Sequence, residues 1–333
     1  MQFTPKILRR HAQVLVEKEV KKNRDIMAAY LRGSLLYGSP LLGGAGDIDL
    51  VFIHNTPPPE TREIRKLTPA INFDIEHHDQ LRYKSPRELR LDPWFGPTLR
   101  DALPLYDPRH ILDYTQSGVR SNFDFPENIQ ARSRGLFDQA RQFWMDRQIH
   151  PPGEIIDELP AFLAALEKAS NAVALLSGPP LAARRLGLEF PQRAAQVNAP
   201  GLTVAFNHLL GAVNLPQEQI LAWLDDWTTA VGTLQKNADP NPVLVDQETY
   251  YHAAMGELIQ NESRTAGLWP LLNTWTSIIA HLPDQTRLQP PWISAITKLG
   301  FAGSDYQVRL AAFDGFLDLC ESLIAQETEG TSY

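Results

Sequence analysis

Apolar and polar positions alternate along this chain with a period that changes once. Between residues 5 and 26, Ile7, Leu8, Ala12, Val14, Leu15 and Val20 recur among Lys, Arg and Glu, which predicts an amphipathic helix. Residues 27–31 form a short apolar run that reads as a strand, and Leu50-Val51-Phe52-Ile53 reads as another. His54-Asn55-Thr56-Pro57-Pro58-Pro59 cannot continue a strand, because each proline lacks a backbone donor, so a loop is expected there. A short helix over 60–67, a strand over 71–78, a helical connection over 85–101 broken by Pro93 and Pro97, and a last strand over 103–108 complete this half.

Beyond a stretch rich in Ser, Gly, Asn and Pro at 115–128, the pattern becomes helical almost throughout. Helices are expected at 129–148, 155–177, 217–236, 246–260, 268–281 and 307–326, the second of them stopped by Gly178-Pro179-Pro180. The change of period predicts two domains: an α/β domain over 1–118, with a mixed sheet and flanking helices, and an all-α, bundle-like domain over 119–333. Trp144, Trp223, Trp227, Trp269 and Trp275 are expected mainly in the helical core.

With 333 residues, 43% of them hydrophobic and 21% charged, the chain has enough apolar surface for a substantial core. No apolar run reaches bilayer length, and the opening MQFTPKILRRHAQ lacks the apolar segment of a signal peptide, so a cytoplasmic protein without a membrane partner is expected. The single cysteine, Cys320, excludes an intrachain disulfide and reads as a core thiol. A net charge of −8 argues against broad binding of a nucleic-acid backbone and is compatible with a cationic small-molecule partner.

Chemistry concentrates between Gly33 and Ile53. Asp47 and Asp49 stand one residue apart before the apolar run, so strand alternation points both to one face while Ile48, Leu50 and Phe52 point to the other. Two neighbouring carboxylates repel, and a shared divalent cation removes the repulsion. Gly33-Ser34 at a strand end lets amide groups and a hydroxyl approach phosphate oxygens. Gly33-Ser34, a spacer of twelve residues with Gly38, Gly43, Gly44 and Gly46, then Asp47-Ile48-Asp49-Leu50 resembles the signature of the DNA polymerase beta-like nucleotidyltransferase superfamily. Within it, the look is nearest to aminoglycoside adenylyltransferases and minimal nucleotidyltransferases, over the first third of the chain.

The resemblance implies a nucleotidyltransferase domain that moves a nucleoside monophosphate from a triphosphate, ATP preferred, to a hydroxyl acceptor, a small cationic molecule being one candidate. It implies Mg2+ or Mn2+ held by Asp47 and Asp49 with a third carboxylate from the neighbouring strand, and outer phosphates held by Gly33 and Ser34. Asp74 matches the context of that third acid best and Glu76 is its rival, the plain alternative being that one or both are ordinary exposed strand acids. Arg184 and Arg185 are either a hand on the triphosphate or an exposed pair at a helix turn. Asp157, Glu158 and Glu167 are acceptor-side candidates, since related two-domain enzymes take one carboxylate from the second domain. His77 and His78 point to opposite faces of their strand and do not suit a common ion. The competing readings are a non-catalytic nucleotide-binding or toxin–antitoxin-type protein that retains the fold, and a nucleotidyltransferase acting on protein or RNA.

Overall fold

Thr4 starts the first helix, α1 (Pro5–Lys22), by accepting the Ile7 amide on its hydroxyl at 3.3 Å, and Pro5 fits the first turn because no intrahelical partner is needed there. The computed structural model describes residues 3–38, 40–236, 247–262, 264–283 and 289–329. The described chain divides into two compact units, Met1–Asn128 and Ile129–Tyr333.

The first unit holds a five-stranded sheet in the order β3-β4-β2-β1-β5, made of β1 (Ile26–Arg32), β2 (Gly46–His54), β3 (Arg62–Lys66), β4 (Ile71–Asp79) and β5 (Leu103–Tyr106). The β2–β4 pair is parallel and the others are antiparallel, so the sheet is mixed, as expected. Period-two alternation gives it two apolar faces. Ala29, Leu31, Ile48, Leu50, Phe52 and Ile75 pack against Leu8, Ala12 and Val16 of α1. On the opposite face Ala28, Tyr30, Val51 and Ile53 meet Tyr83 and three short helices, α2 (Pro86–Leu91), α3 (Phe95–Asp101) and α4 (Ile111–Arg120).

The fold departs from the sequence pattern at two places. Residues 60–67 do not form a helix: β3 runs antiparallel to β4 from Arg62↔Glu76 to Lys66↔Asn72. A segment this short gains few intrahelical bonds, whereas the open edge of β4 offers a full ladder. Nor does the first unit end at 118, because α4 belongs to it. Leu112 and Val119 enter its core, and Gln116 Nε2 donates to the carbonyls of Leu99 and Ala102, both at 2.8 Å.

The described residues of the second unit form helices joined by turns and loops, with no strand among them. It comprises α5 (Pro126–Ile149), α6 (Ile155–Ala174), α7 (Leu186–Gln196), α8 (Gly201–Leu209), α9 (Gln217–Leu234), α10 (Glu248–Glu257), α11 (Arg264–His281), α12 (Pro290–Lys298) and α13 (Gly303–Glu329). The expected start of a helix at 246 lies outside the described residues, and α7, α8 and α12 were not anticipated. Trp223, Trp227, Trp269 and Trp275 are core residues as expected, while Trp144 is half-buried at the margin. Trp227 satisfies its indole N–H on Thr274 Oγ1 at 2.9 Å. Buried Arg309 donates to the carbonyls of His208, Leu209, Leu299 and Gly300, closing the C-terminal ends of α8 and α12 with one guanidinium. Among the described residues, no helix is long and apolar enough to cross a membrane.

Candidate metal centre

The turn before β2 aims the candidate acids. Leu42 and Ala45 exchange two backbone hydrogen bonds of 3.0 Å around Gly43 and Gly44, whose φ values of 60° and 73° are those a tight hairpin turn requires. The chain therefore re-enters the sheet at Gly46 with a fixed register. Asp47 lies beside Asn72 of β4, and Asp49 lies between Arg32 of β1 and Asp74 of β4. Oxygen atoms of Asp47, Asp49 and Asp74 all lie within 4.8 Å of one another, so the triad is able to hold a metal ion. Asp47 and Asp74 are buried and Asp49 is half-buried.

Gly33 directly follows β1 with φ of 76°, and a Cβ there would fall inside the van der Waals sphere of Asp49 Oδ2. Only glycine meets both demands. Ser34 then opens a single 3-10 turn, Ser34–Leu36. Its Oγ is buried and has no hydrogen-bond partner, as do Asn72 Oδ1 beside Asp47 and Arg32 Nε beside Asp49. Buried polar atoms left unpaired cost free energy, and three of them gathered around one acid cluster point to a ligand that satisfies them.

Three residues that the sequence did not single out shape the site. Arg62 of β3 grips Asp74 with two hydrogen bonds, Nε to Oδ1 at 2.8 Å and Nη2 to Oδ2 at 2.5 Å. Each oxygen keeps a further lone pair, so Asp74 is oriented without being used up. Arg32 pairs with Glu76 at 2.5 Å. Burial opposes the charge on Arg32, but Asp49 and Glu76 outweigh it and hold its pKa above the ordinary value. The third residue is Asn72. Arg32 was legible in principle, since it directly precedes Gly33. Arg62 and Asn72 were not, because their roles depend on strand register. Four carboxylates on this face meet the two guanidiniums of Arg32 and Arg62, a formal excess of two negative charges that suits a divalent cation.

Glu76 shares the face but sits in a different network. Its carboxylate accepts from Arg32 and lies 2.9 Å from His78 Nε2, and His78 Nδ1 lies 2.7 Å from the Tyr83 hydroxyl, itself 3.0 Å from that of Tyr30. Burial alone would raise the Glu76 pKa, but the His78 hydrogen bond and Arg32 outweigh it and bring it to about 2. Held as an anion between two partners, Glu76 is a brace for Arg32, and Asp74 takes the third place in the triad. His77 lies on the other face, stacked on Phe52 and 2.9 Å from His54, so the two histidines do point apart.

The remaining candidates belong to the helical unit. Arg184 is buried over the Tyr250 ring at 3.5 Å, and Arg185 pairs with Glu189 at 3.1 Å. Glu158 is buried and accepts from Arg147 at 2.8 Å and the Gly153 amide at 3.0 Å. Asp157 is exposed in the first turn of α6. Glu167 is raised by burial to about 7, which Lys168 only partly offsets. What the structure brings together is Gly33, Ser34, Asp47, Asp49 and Asp74; Arg184 and Glu158 are taken up by contacts inside their own unit. No protein-family model matches the chain, and no curated protein matches it.

Proposed function

We propose that the first unit is a divalent-cation-dependent nucleotidyltransferase site of the DNA polymerase beta-like kind, transferring a nucleoside monophosphate, AMP from ATP as the first choice, to a hydroxyl acceptor. The observation that carries this reading is the triad within 4.8 Å beside the buried, unpartnered Ser34 Oγ. The donor set fits a hard cation, since every donor is a carboxylate oxygen. Bound there, Mg2+ or Mn2+ supplies charge neutralisation for the triphosphate and polarisation of the reacting phosphoryl group.

The chain's own residues do the rest. Ser34 Oγ donates to a phosphate oxygen, and Gly33 gives that phosphate a close approach to the backbone. Arg62 holds Asp74 still, so that a carboxylate lone pair is aimed where the acceptor loses its proton. In the transfer, the acceptor oxygen forms a bond to the α-phosphorus, the bond from that phosphorus to the bridging oxygen breaks, and pyrophosphate leaves. The hydroxyl proton passes to carboxylate or solvent. The test is Mg2+-dependent release of pyrophosphate from ATP, GTP, CTP or UTP in the presence of a panel of hydroxyl compounds, for the wild type and Asp49→Asn. Release by the wild type alone supports the reading. Equal release by both proteins, or no binding of any triphosphate to the wild type, contradicts it.

A further inference from the structure

A groove of about 740 Å³ opens in the first unit directly after the Ser34 turn. Leu36 and Tyr37 form one wall, and Leu103 and Pro104 of β5, which pair with Leu31 and Tyr30 of β1, form another. The groove therefore lies at the end of β1 where Arg32 meets Asp49. Its polar lining is dominated by three guanidiniums, those of Arg9, Arg100 and Arg120, against the carboxylates of Asp101 and Asp113. This local balance is the reverse of that of the whole chain, whose net charge is −8.

The three arginines are held rather than free to swing. Arg9 donates one N–H to the Leu35 carbonyl at 2.8 Å, and Arg120 donates Nε–H to the Arg100 carbonyl at 2.8 Å. Arg100 grips Asp101 with two bonds of 2.7 Å and lies 4.7 Å from the Phe123 ring centre. Asp101 also accepts from the Tyr37 hydroxyl at 2.5 Å, so its acceptor capacity is largely taken. Among the described residues neither Arg9 nor Arg120 has a carboxylate within ion-pair distance. What the groove offers is donor N–H groups on two anchored cations. Anchoring matters because an exposed arginine ordinarily loses much side-chain entropy when it binds an anion.

We propose that this groove binds the phosphate or carboxylate group of the acceptor, so that the molecule receiving the nucleotide is an anionic hydroxyl compound. The assignment of that anion to the acceptor rests on the nucleotidyl-transfer reading; the anion site itself does not. It also replaces the cationic acceptor expected from the sequence, for which Glu158 was a candidate: that carboxylate is buried against Arg147.

The binding arm uses inorganic phosphate, titrated by calorimetry at low ionic strength with a chelator and no nucleotide. The Arg9→Gln/Arg120→Gln double variant binds at least about tenfold more weakly than the wild type, and Asp113→Asn binds more tightly. Unchanged phosphate affinity in the double variant overturns the groove. The turnover arm offers labelled ATP with glycerol 3-phosphate, ribose 5-phosphate and glycerate beside glycerol, ribose and an aminoglycol. Label on the anionic compounds alone supports the assignment, and label on the neutral or cationic ones overturns it. A double variant that loses Mg·ATP affinity by the same factor as phosphate affinity places the nucleotide's own phosphates in the groove and also overturns it. Arginine-dependent phosphate binding in a wild type that binds no triphosphate leaves the anion site standing and overturns the nucleotidyl-transfer reading.

Discussion

Ser34 has a hydroxyl that is buried and bonded to nothing. Its removal therefore has opposite consequences for the free and the bound protein. Ser34→Ala is expected to leave thermal stability unchanged or slightly raised, because an unsatisfied buried group is lost, while Mg·ATP binding weakens by about 1–2 kcal/mol. Calorimetry beside thermal unfolding checks both signs, and a matched loss of stability and affinity would point to a structural serine. Gly33→Ala behaves differently. Its φ of 76° and the nearby Asp49 carboxylate leave no room for a methyl group, so stability falls by about 1–3 kcal/mol and Asp49 moves. Unfolding scans of Gly33→Ala that match the wild type would contradict this. The Asp47–Asp49 pair was legible because strand alternation is local and period two puts both acids on one face whatever else the chain does, and Gly33-Ser34 because a Gly-Ser step at a strand end is itself a local signal. Arg62 and Asn72 escaped because what matters about them is which residue they oppose on another strand, and register is written in no short stretch of sequence.

Element-scale effects centre on β3 and α6. The edge strand β3 was read as a helix because its five residues carry no long apolar pattern, and only β4 beside it makes the extended form the better one. Its function in the site is to deliver Arg62 to Asp74. Arg62→Ala leaves the buried Asp74 carboxylate without its strongest partner and is expected to destabilise the first unit by about 1–3 kcal/mol. Mg2+ with a non-hydrolysable ATP analogue should restore more stability to this variant than to the wild type, since a bound cation takes over the neutralisation. Equal ligand-induced shifts in unfolding temperature would argue against the metal role of Asp74. In α6, Glu167 has its folded pKa raised from 4.5 to about 7 by burial. The folded protein keeps a proton there that the unfolded chain releases, so this residue lowers stability progressively as pH rises from about 4.5 to about 7 and by a constant amount above that. Glu167→Gln should therefore gain on the order of 1–3 kcal/mol at pH 8 and little at pH 4. A gain that is the same at both values would sink the assignment.

The whole molecule carries its two kinds of core in separate stretches of chain, and that division was readable from the switch between alternating and helical patterns. Its position was not, because the Ser-, Gly- and Asn-rich stretch at 115–128 reads as a linker, whereas Val119 and Phe123 pack in the core of the first unit, which runs to Asn128. Cys320 lies fully buried in the helical core. Its reaction with an aromatic disulfide reagent should therefore wait for opening of that core and track the unfolding rate in denaturant, whereas an immediate stoichiometric reaction in native buffer would contradict the packing. The acid triad remains the centre of the account, and Mn2+ binding tests it most directly. Free Mn2+ can be followed by electron paramagnetic resonance during titration of the wild type, Asp47→Asn and Asp49→Asn, each saturated with an ATP analogue whose α and β phosphorus atoms are joined by a methylene. A metal-holding triad requires protein-dependent loss of the free-ion signal in the wild type, and affinity weaker by at least about tenfold in both variants with their fold intact by circular dichroism. Equal Mn2+ affinity in all three proteins would contradict it.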